Sequence, residues 1–275
     1  MKEAAKKNLR LVLEYDGSRY DGWQKQGNTG NTIQGRLEQV LERLTGQPAE
    51  VQGSGRTDGG VHALGQVANA HIATDLRPEE ILSYVNRYLP EDIRVLQADF
   101  APERFHSRLN AEEKTYRYVL DTSPKTDVFR RRYVWTLGEA LDGEAMERTA
   151  RLLCGTHDFR GFSTKRPGKK STVRTLRSLN IHSRGTCLEF EFCGDGFLYH
   201  MVRILMGTLV EAGQGKRAPE SVLQVFETGD RSLAGFTAPA KGLFLVSVSY
   251  PGFRFPKEEK AAVPPGKHKE RREGL

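Results

Sequence analysis

NLRLVLEY, residues 8–15, is the stretch from which the fold can be read. Leu9, Leu11, Leu13 and Tyr15 alternate with Arg10, Val12 and Glu14, and a period of two places the first set on one face of an extended strand. Over residues 32–44 the period becomes helical, with Ile33, Leu37, Val40, Leu41 and Leu44 on one face. Asn31 and Gln34 form a capping pair before that helix, and Gly46 ends it. Strand-like stretches follow near 49–53 and 66–74, a second helix spans 78–89, and 93–100 is again a strand. The order is βαββαβ, the ferredoxin-like pattern.

The second half repeats the order without a convincing residue-level repeat. A strand at 115–120 leads to a helix at 143–154 and to a hairpin, 174–183 with 186–192, turning at Arg184-Gly185. A helix at 198–212, a short one at 219–226 and a strand at 243–250 complete it. The expected class is therefore α+β. Two ferredoxin-like halves, 1–107 and 108–253, are expected to join their sheets into one continuous antiparallel surface flanked by helices, with a cleft between the halves. The tail, 254–275, is charged, rich in Pro and Gly, and expected to be disordered.

A chain of 275 residues with 37% hydrophobic side chains can bury a sizeable core. Its net charge of +7 suits an anionic partner. Cys154, Cys187 and Cys193 lack metal-ligand spacing and read as free thiols of a reducing, cytoplasmic compartment. No stretch resembles a membrane span or a signal peptide.

Two segments promise chemistry. GSGRTDGGVHALGQ, residues 53–66, joins neighbouring strands that two residues could have joined, and it carries five glycines around one acid, Asp58. That density implies a shaped loop; a flexible surface hairpin is the plain alternative. A Walker loop is excluded because no Gly-Lys-Ser/Thr is present, and a metal site of Asp58, His62 and His71 would match no familiar spacing. The second segment is the helix at 198–212, apolar on nearly every side apart from Arg203. A buried guanidinium needs an anion, unless it snorkels to the surface along its own stem.

The chain resembles the TruA family of tRNA pseudouridine synthases from about Leu9 to Tyr250. The resemblance rests on EYDGSRYDGWQKQ (14–26), GRTDGGVHALGQ (55–66), FHSR (105–108), KTYRYVL (114–120), HDFRGF (157–162), FLYHMVR (197–203) and APAKGLFLV (238–246), in the family's order. It implies that Asp58 is the essential carboxylate, that Arg203 pairs with it, that Arg56 helps extrude the target nucleotide, and that Tyr116 stacks on the flipped uracil. Gly59 departs from the alanine the family commonly has after the aspartate.

The reaction so implied is an isomerisation of uridine in the anticodon stem-loop, about positions 38 to 40, needing no metal, nucleotide or redox cofactor. The implied partners are tRNA and a second copy of the chain, with no membrane. Phosphate contacts are expected from Arg130, Arg131 and Arg132, or from Lys165, Arg166, Lys169 and Lys170 together with Arg174 and Arg177; a solvated basic face is the ordinary alternative for each cluster. A non-catalytic RNA-binding module of doubled RRM-like fold and a metal-dependent hydrolase are the competing functions.

Overall fold

The computed structural model describes residues 5–27, 29–164, 170–253 and 255. The first strand, β1 (Lys6–Tyr15), buries Leu9, Leu11 and Leu13 completely. Helix α1 (Ile33–Thr45) lays Ile33, Leu37, Val40 and Leu41 on the same core. Strands β2 (Gln52–Gly53) and β3 (His62–Ala73), helix α2 (Pro78–Tyr88) and strand β4 (Ile93–Phe100) complete the first half. The second half contains β5 (Glu113–Asp121), β6 (Trp135–Thr136), α3 (Gly143–Leu153), β7 (Gly155–Asp158), β8 (Val173–Arg184), β9 (Cys187–Gly194), α4 (Met201–Gly213), α5 (Ser221–Thr228) and β10 (Leu243–Ser249).

All ten strands form one sheet, ordered β4-β1-β3-β10-β5-β9-β8-β7, with β2 also on β3 and β6 also on β5. The helices flank it, and one apolar core runs through both halves. A smaller cluster of Val67, Phe105 and Tyr250 lies under the residues that follow β4 and β10. Next to it, Arg10 is buried and donates to Asp99 Oδ2 at 2.8 Å on the neighbouring strand. The alternation of β1 therefore separates two buried faces rather than one buried and one wet.

The sheet is not antiparallel throughout. At its centre β3 and β10 run parallel, with Phe244 opposite His62 and Leu245 opposite Ala63. The cause is the brevity of β2. A full-length β2, antiparallel to β3, would lie between β3 and β10 and keep the directions alternating. Instead the backbone of Val51 turns to α1: its N–H donates to Glu38 at 3.1 Å and its carbonyl accepts from Gln34 at 3.2 Å. Beyond Gly53 the chain leaves the sheet, and β10 pairs directly with the exposed edge of β3. β6 also pairs parallel, beside the end of β5.

Smaller differences have local causes. Thr32, not Asn31, caps α1, accepting from Gly35 N–H at 3.2 Å, while the Asn31 amide donates to Arg19 O. Strand β3 begins at His62, four residues before the pattern predicts, because Tyr15 and β10 pair with that stretch. Helix α4 begins at Met201 because His200 is left-handed. β6 and β7 are too short to leave a period. The expected tail lies outside the described residues but for Phe255.

Within α4 every residue except Arg203 and Glu211 is buried. Gly207 lets the segment around Phe236 lie directly on the helix: a methyl carbon added there would sit 1.9 Å from Phe236 O. Gly207→Ala should thus force that segment off α4 and destabilise the fold by about 1–3 kcal/mol, the usual range for overpacking. Chemical denaturation checks this, and a change within ±0.5 kcal/mol, typical of a neutral surface site, would contradict the packing.

Candidate active site

The loop between β2 and β3 is held from below by a chain of buried polar contacts. Gly53 rests on Trp23, where an added methyl carbon would come within 2.4 Å of the indole. Ser54 is fully buried; its hydroxyl donates to Gln66 Oε1 at 2.6 Å and its N–H to Val67 O at 2.7 Å. Gln66 in turn donates to Gly55 O at 3.0 Å. Thr57 shares a hydrogen bond of 2.8 Å with the Tyr15 hydroxyl, which burial pushes up to about 12. With both flanks fixed, Asp58 begins a tight turn closed by Val61 N–H to Asp58 O at 3.1 Å. Gly60, at φ 79°, supplies the left-handed residue the turn requires. Gly59 has no such need, and an alanine methyl there would meet only ordinary contacts from 3.4 Å outward. The sequence's departure at Gly59 leaves the loop's shape unchanged.

The Asp58 side chain, 17% exposed, points across to α4. Arg203 Nη1 donates to Asp58 Oδ2 at 3.0 Å, joining residues 145 apart in sequence. Arg203 Nε donates to Ala238 O at 2.7 Å, and Ala238 N–H donates back to Arg203 O at 3.0 Å. The guanidinium therefore has a fixed position rather than a free path to solvent, and Glu211, the other charge on α4, is taken by Arg217 at 2.9 Å. The pairing expected of Arg203 is present, and the snorkelling alternative is not.

Tyr116, on central strand β5, reaches the same loop. It lies edge-on to Phe197, ring centroids 5.1 Å apart, and its hydroxyl has no hydrogen-bond partner among the described residues. Burial, with lesser contributions from Tyr15 and the Asp58 charge, raises its pKa well above the ordinary phenol value, so it stays protonated. Arg56 stands exposed at the loop's tip and donates to Gln24 Oε1 at 2.9 Å. Asp58, Arg203, Tyr116 and Arg56 are thus gathered around one loop.

No hydrogen bond or ion pair joins an arginine of the first cluster to Asp58 among the described residues. Arg130, Arg131 and Arg132 are exposed in the connection between β5 and β6. Arg130 reaches Cys187 Sγ at 3.5 Å, and Arg132 offers its carbonyl to His62 Nε2 at 3.0 Å. Lys165, Arg166 and Lys169 lie outside the described residues; Lys170 is exposed. Arg177 is paired with Glu113 at 3.5 Å. The metal alternative fails on geometry: His62 accepts from Gly17 N–H at 3.1 Å and lies beside Asp16, and His71 lies 3.1 Å from Glu103, so neither turns to Asp58.

Two residues at the site were not singled out in the sequence. His200 Nε2 lies 3.4 Å from Asp58 Oδ2, and its Nδ1 is hydrogen-bonded with Thr164 at 2.9 Å. Its φ of 62° is the only positive value on a non-glycine among the described residues. Burial outweighs the Asp58 charge and lowers its pKa below the ordinary histidine value, which keeps the ring neutral at neutral pH. The one available clue was its position three residues before Arg203. Lys114, two residues before Tyr116 on β5, donates to Ser54 O at 2.7 Å.

A family profile described as tRNA pseudouridine synthase matches residues 11–110 and 149–251. The tRNA pseudouridine synthase A of Bacillus sp. (strain KSM-64) is 46% identical over 88% of this chain and 99% of its own length. That of Acetivibrio thermocellus is 42% identical over 89% of this chain and all of its own, and a tRNA pseudouridine synthase A 2 of Clostridium tetani is 41% identical over 89% and 99%. With the matched segments spanning the Asp58 loop and α4 alike, the chain belongs to the tRNA pseudouridine synthase family.

Proposed function

We propose that this chain is an isomerase that converts uridine to pseudouridine in tRNA, with Asp58 as the reacting carboxylate. The observation that carries the reading is the Asp58–Arg203 pair, a fixed and partly open charge pair near the Tyr116 hydroxyl, which has no hydrogen-bond partner among the described residues. The reaction breaks N1–C1′, turns the freed uracil and rejoins it through C5, the C5 hydrogen leaving as a proton and N1 taking one up, so that atoms balance. It needs an anion at the sugar, either to attack C1′ or to take the C2′ proton. Arg203 aims one oxygen of the carboxylate, while Ala238 O keeps the guanidinium from following it. Tyr116, held protonated, serves as a stacking surface and hydrogen-bond donor rather than as a base.

The finer reading is of two ferredoxin-like halves, 1–107 and 108–253, with the site in the cleft between them. It is supported by the strand orders β4-β1-β3-β2 and β10-β5-β9-β8, which are the same order written twice. The substrate region is the anticodon stem-loop, about positions 38 to 40, where an unstacked base is less costly to extrude than in a duplex. Arg56, exposed at the loop tip, is suited to fill the vacated stack. A homodimer is supported by apolar side chains left in water beside the arginine run, Val128 at 62% and Phe129 at 92% exposure. The place of work is the cytoplasm; no helix among the described residues is long and apolar enough to cross a membrane. An RNA-binding module without catalysis would leave the Asp58–Arg203 pair without a task.

Asp58→Asn should fold, bind tRNA nearly as wild type does, and form pseudouridine at less than about one part in a thousand of the wild-type rate. Single-turnover assays with a saturating excess of enzyme check it; higher residual turnover would remove Asp58 from the chemistry. Arg203→Met and Asp58→Asn should couple in a stability cycle, the double variant losing about 0.5–3 kcal/mol less than the sum of the singles. Additive losses would mean the pair does no structural work.

Neutralising Arg130, Arg131 and Arg132 together should weaken tRNA affinity without altering the single-turnover rate at saturating RNA. Loss of three phosphate contacts would reduce the magnitude of the salt slope of log affinity by about two to three units. An unchanged slope would put the RNA on another face.

A further inference from the structure

Lys114 is half-buried and poorly provided for. Its ammonium has three protons, and only one has a partner among the described residues, Ser54 O at 2.7 Å. Its charged neighbours are of its own sign. Arg108 and Arg174 both act on it, and with withdrawal from water, the larger cause, they bring its pKa down to about 8. Among the described residues no carboxylate is paired with any of the three. Arg174 Nη1 spends its hydrogen bonds on the carbonyls of Ser171 and Val173, at 3.0 and 2.6 Å. Glu113, next to Lys114 in sequence, faces the opposite side of β5 and is engaged by Arg177 at 3.5 Å. Three cations without an anion, one of them drawn away from water, are unfavourable in the free protein, and a bound anion would relieve them.

The position of this group identifies the anion. Lys114 and Tyr116 lie on the same face of β5 and converge on Gly55: a methyl carbon placed on Gly55 would be 3.4 Å from the ammonium and 3.9 Å from the Tyr116 hydroxyl. A nucleotide with its base against Tyr116 would carry its backbone within reach of Lys114, since adjacent phosphates lie one nucleotide apart. Resting on the function proposed above, we infer that Lys114, flanked by Arg108 and Arg174, binds a backbone phosphodiester next to the target uridine and so sets which sugar comes to lie over Asp58. The ligand class is a phosphodiester of the substrate strand. The single proton given to Ser54 O leaves two donors for it, and the link to the loop ties the phosphate's place to that of the carboxylate four residues on.

The test pairs a change in the protein with a change in the RNA. A tRNA is assembled by ligation so that each linkage around the target uridine can in turn be replaced by an uncharged methylphosphonate. Binding is measured with wild type, Lys114→Met and Lys114→Arg, each confirmed folded by circular dichroism. At one linkage adjacent to the target, the neutral replacement should weaken wild-type binding roughly tenfold or more, the scale of a charge-assisted hydrogen bond. It should have no further effect in Lys114→Met and should act again in Lys114→Arg. Losses that add at every linkage would overturn the phosphate site. So would coupling to linkages remote from the target. Pseudouridine formation by wild type on the all-phosphodiester tRNA, measured first, tests the enzymatic reading alone, so failure of the phosphate site is distinguished from failure of the function.

Discussion

The ion pair between Asp58 and Arg203 imposes conditions on the whole chain. A carboxylate and a guanidinium that are both mostly withdrawn from water need each other, and each needs a rigid approach. On the acid's side this calls for a loop anchored by Ser54, Gln66, Thr57 and Tyr15 and turned sharply at Gly60. On the base's side it calls for a helix apolar enough to be swallowed by the core, with a single charge left to find its partner. The residues around Ala238 close the arrangement by taking the guanidinium's other edge, and they lie close enough to do so only because Gly207 and Gly235 offer no side chain.

The truncated β2 is the structural counterpart of that pair. A longer strand would have filled the gap between β3 and β10 and left no space for the Asp58 loop. By ending at Gly53 against Trp23, the chain opens a notch in the middle of the sheet, and the parallel pairing of β3 with β10 closes the sheet behind it. Tyr116 and Lys114 stand on β5, the next strand beyond β10, so the Asp58 loop overlooks them directly.

Much of this was legible in the sequence. The period of two in residues 9–15, the helical periods around Leu37 and Val85 and the unbroken apolar run around Leu205 marked nearly every long element to within a few residues, since each records how much of the element is buried. The carboxylate and its arginine were legible for a related reason: a lone acid among glycines and a lone cation on an apolar helix are both expensive until paired. What stayed hidden depends on contacts between distant parts. The parallel seam follows from Val51 bonding to α1 side chains, which no local pattern records. The left-handed His200 and the uncompensated Lys114 look ordinary in a string of letters; their strain and their charge environment exist only once α4, β8 and the loop have been brought together.

The seam between β3 and β10 has a mechanical consequence. Because the two strands that support opposite sides of the notch belong to one hydrogen-bonded sheet, the site is a jig rather than a jaw. A jaw discriminates by how far it shuts; a jig discriminates by what can be bent to fit a gap of constant width. With an unyielding tool, the compliance has to come from the workpiece. Nucleotides that a strand surrenders easily would suit such a gap, and those clamped in a stiff stack would not.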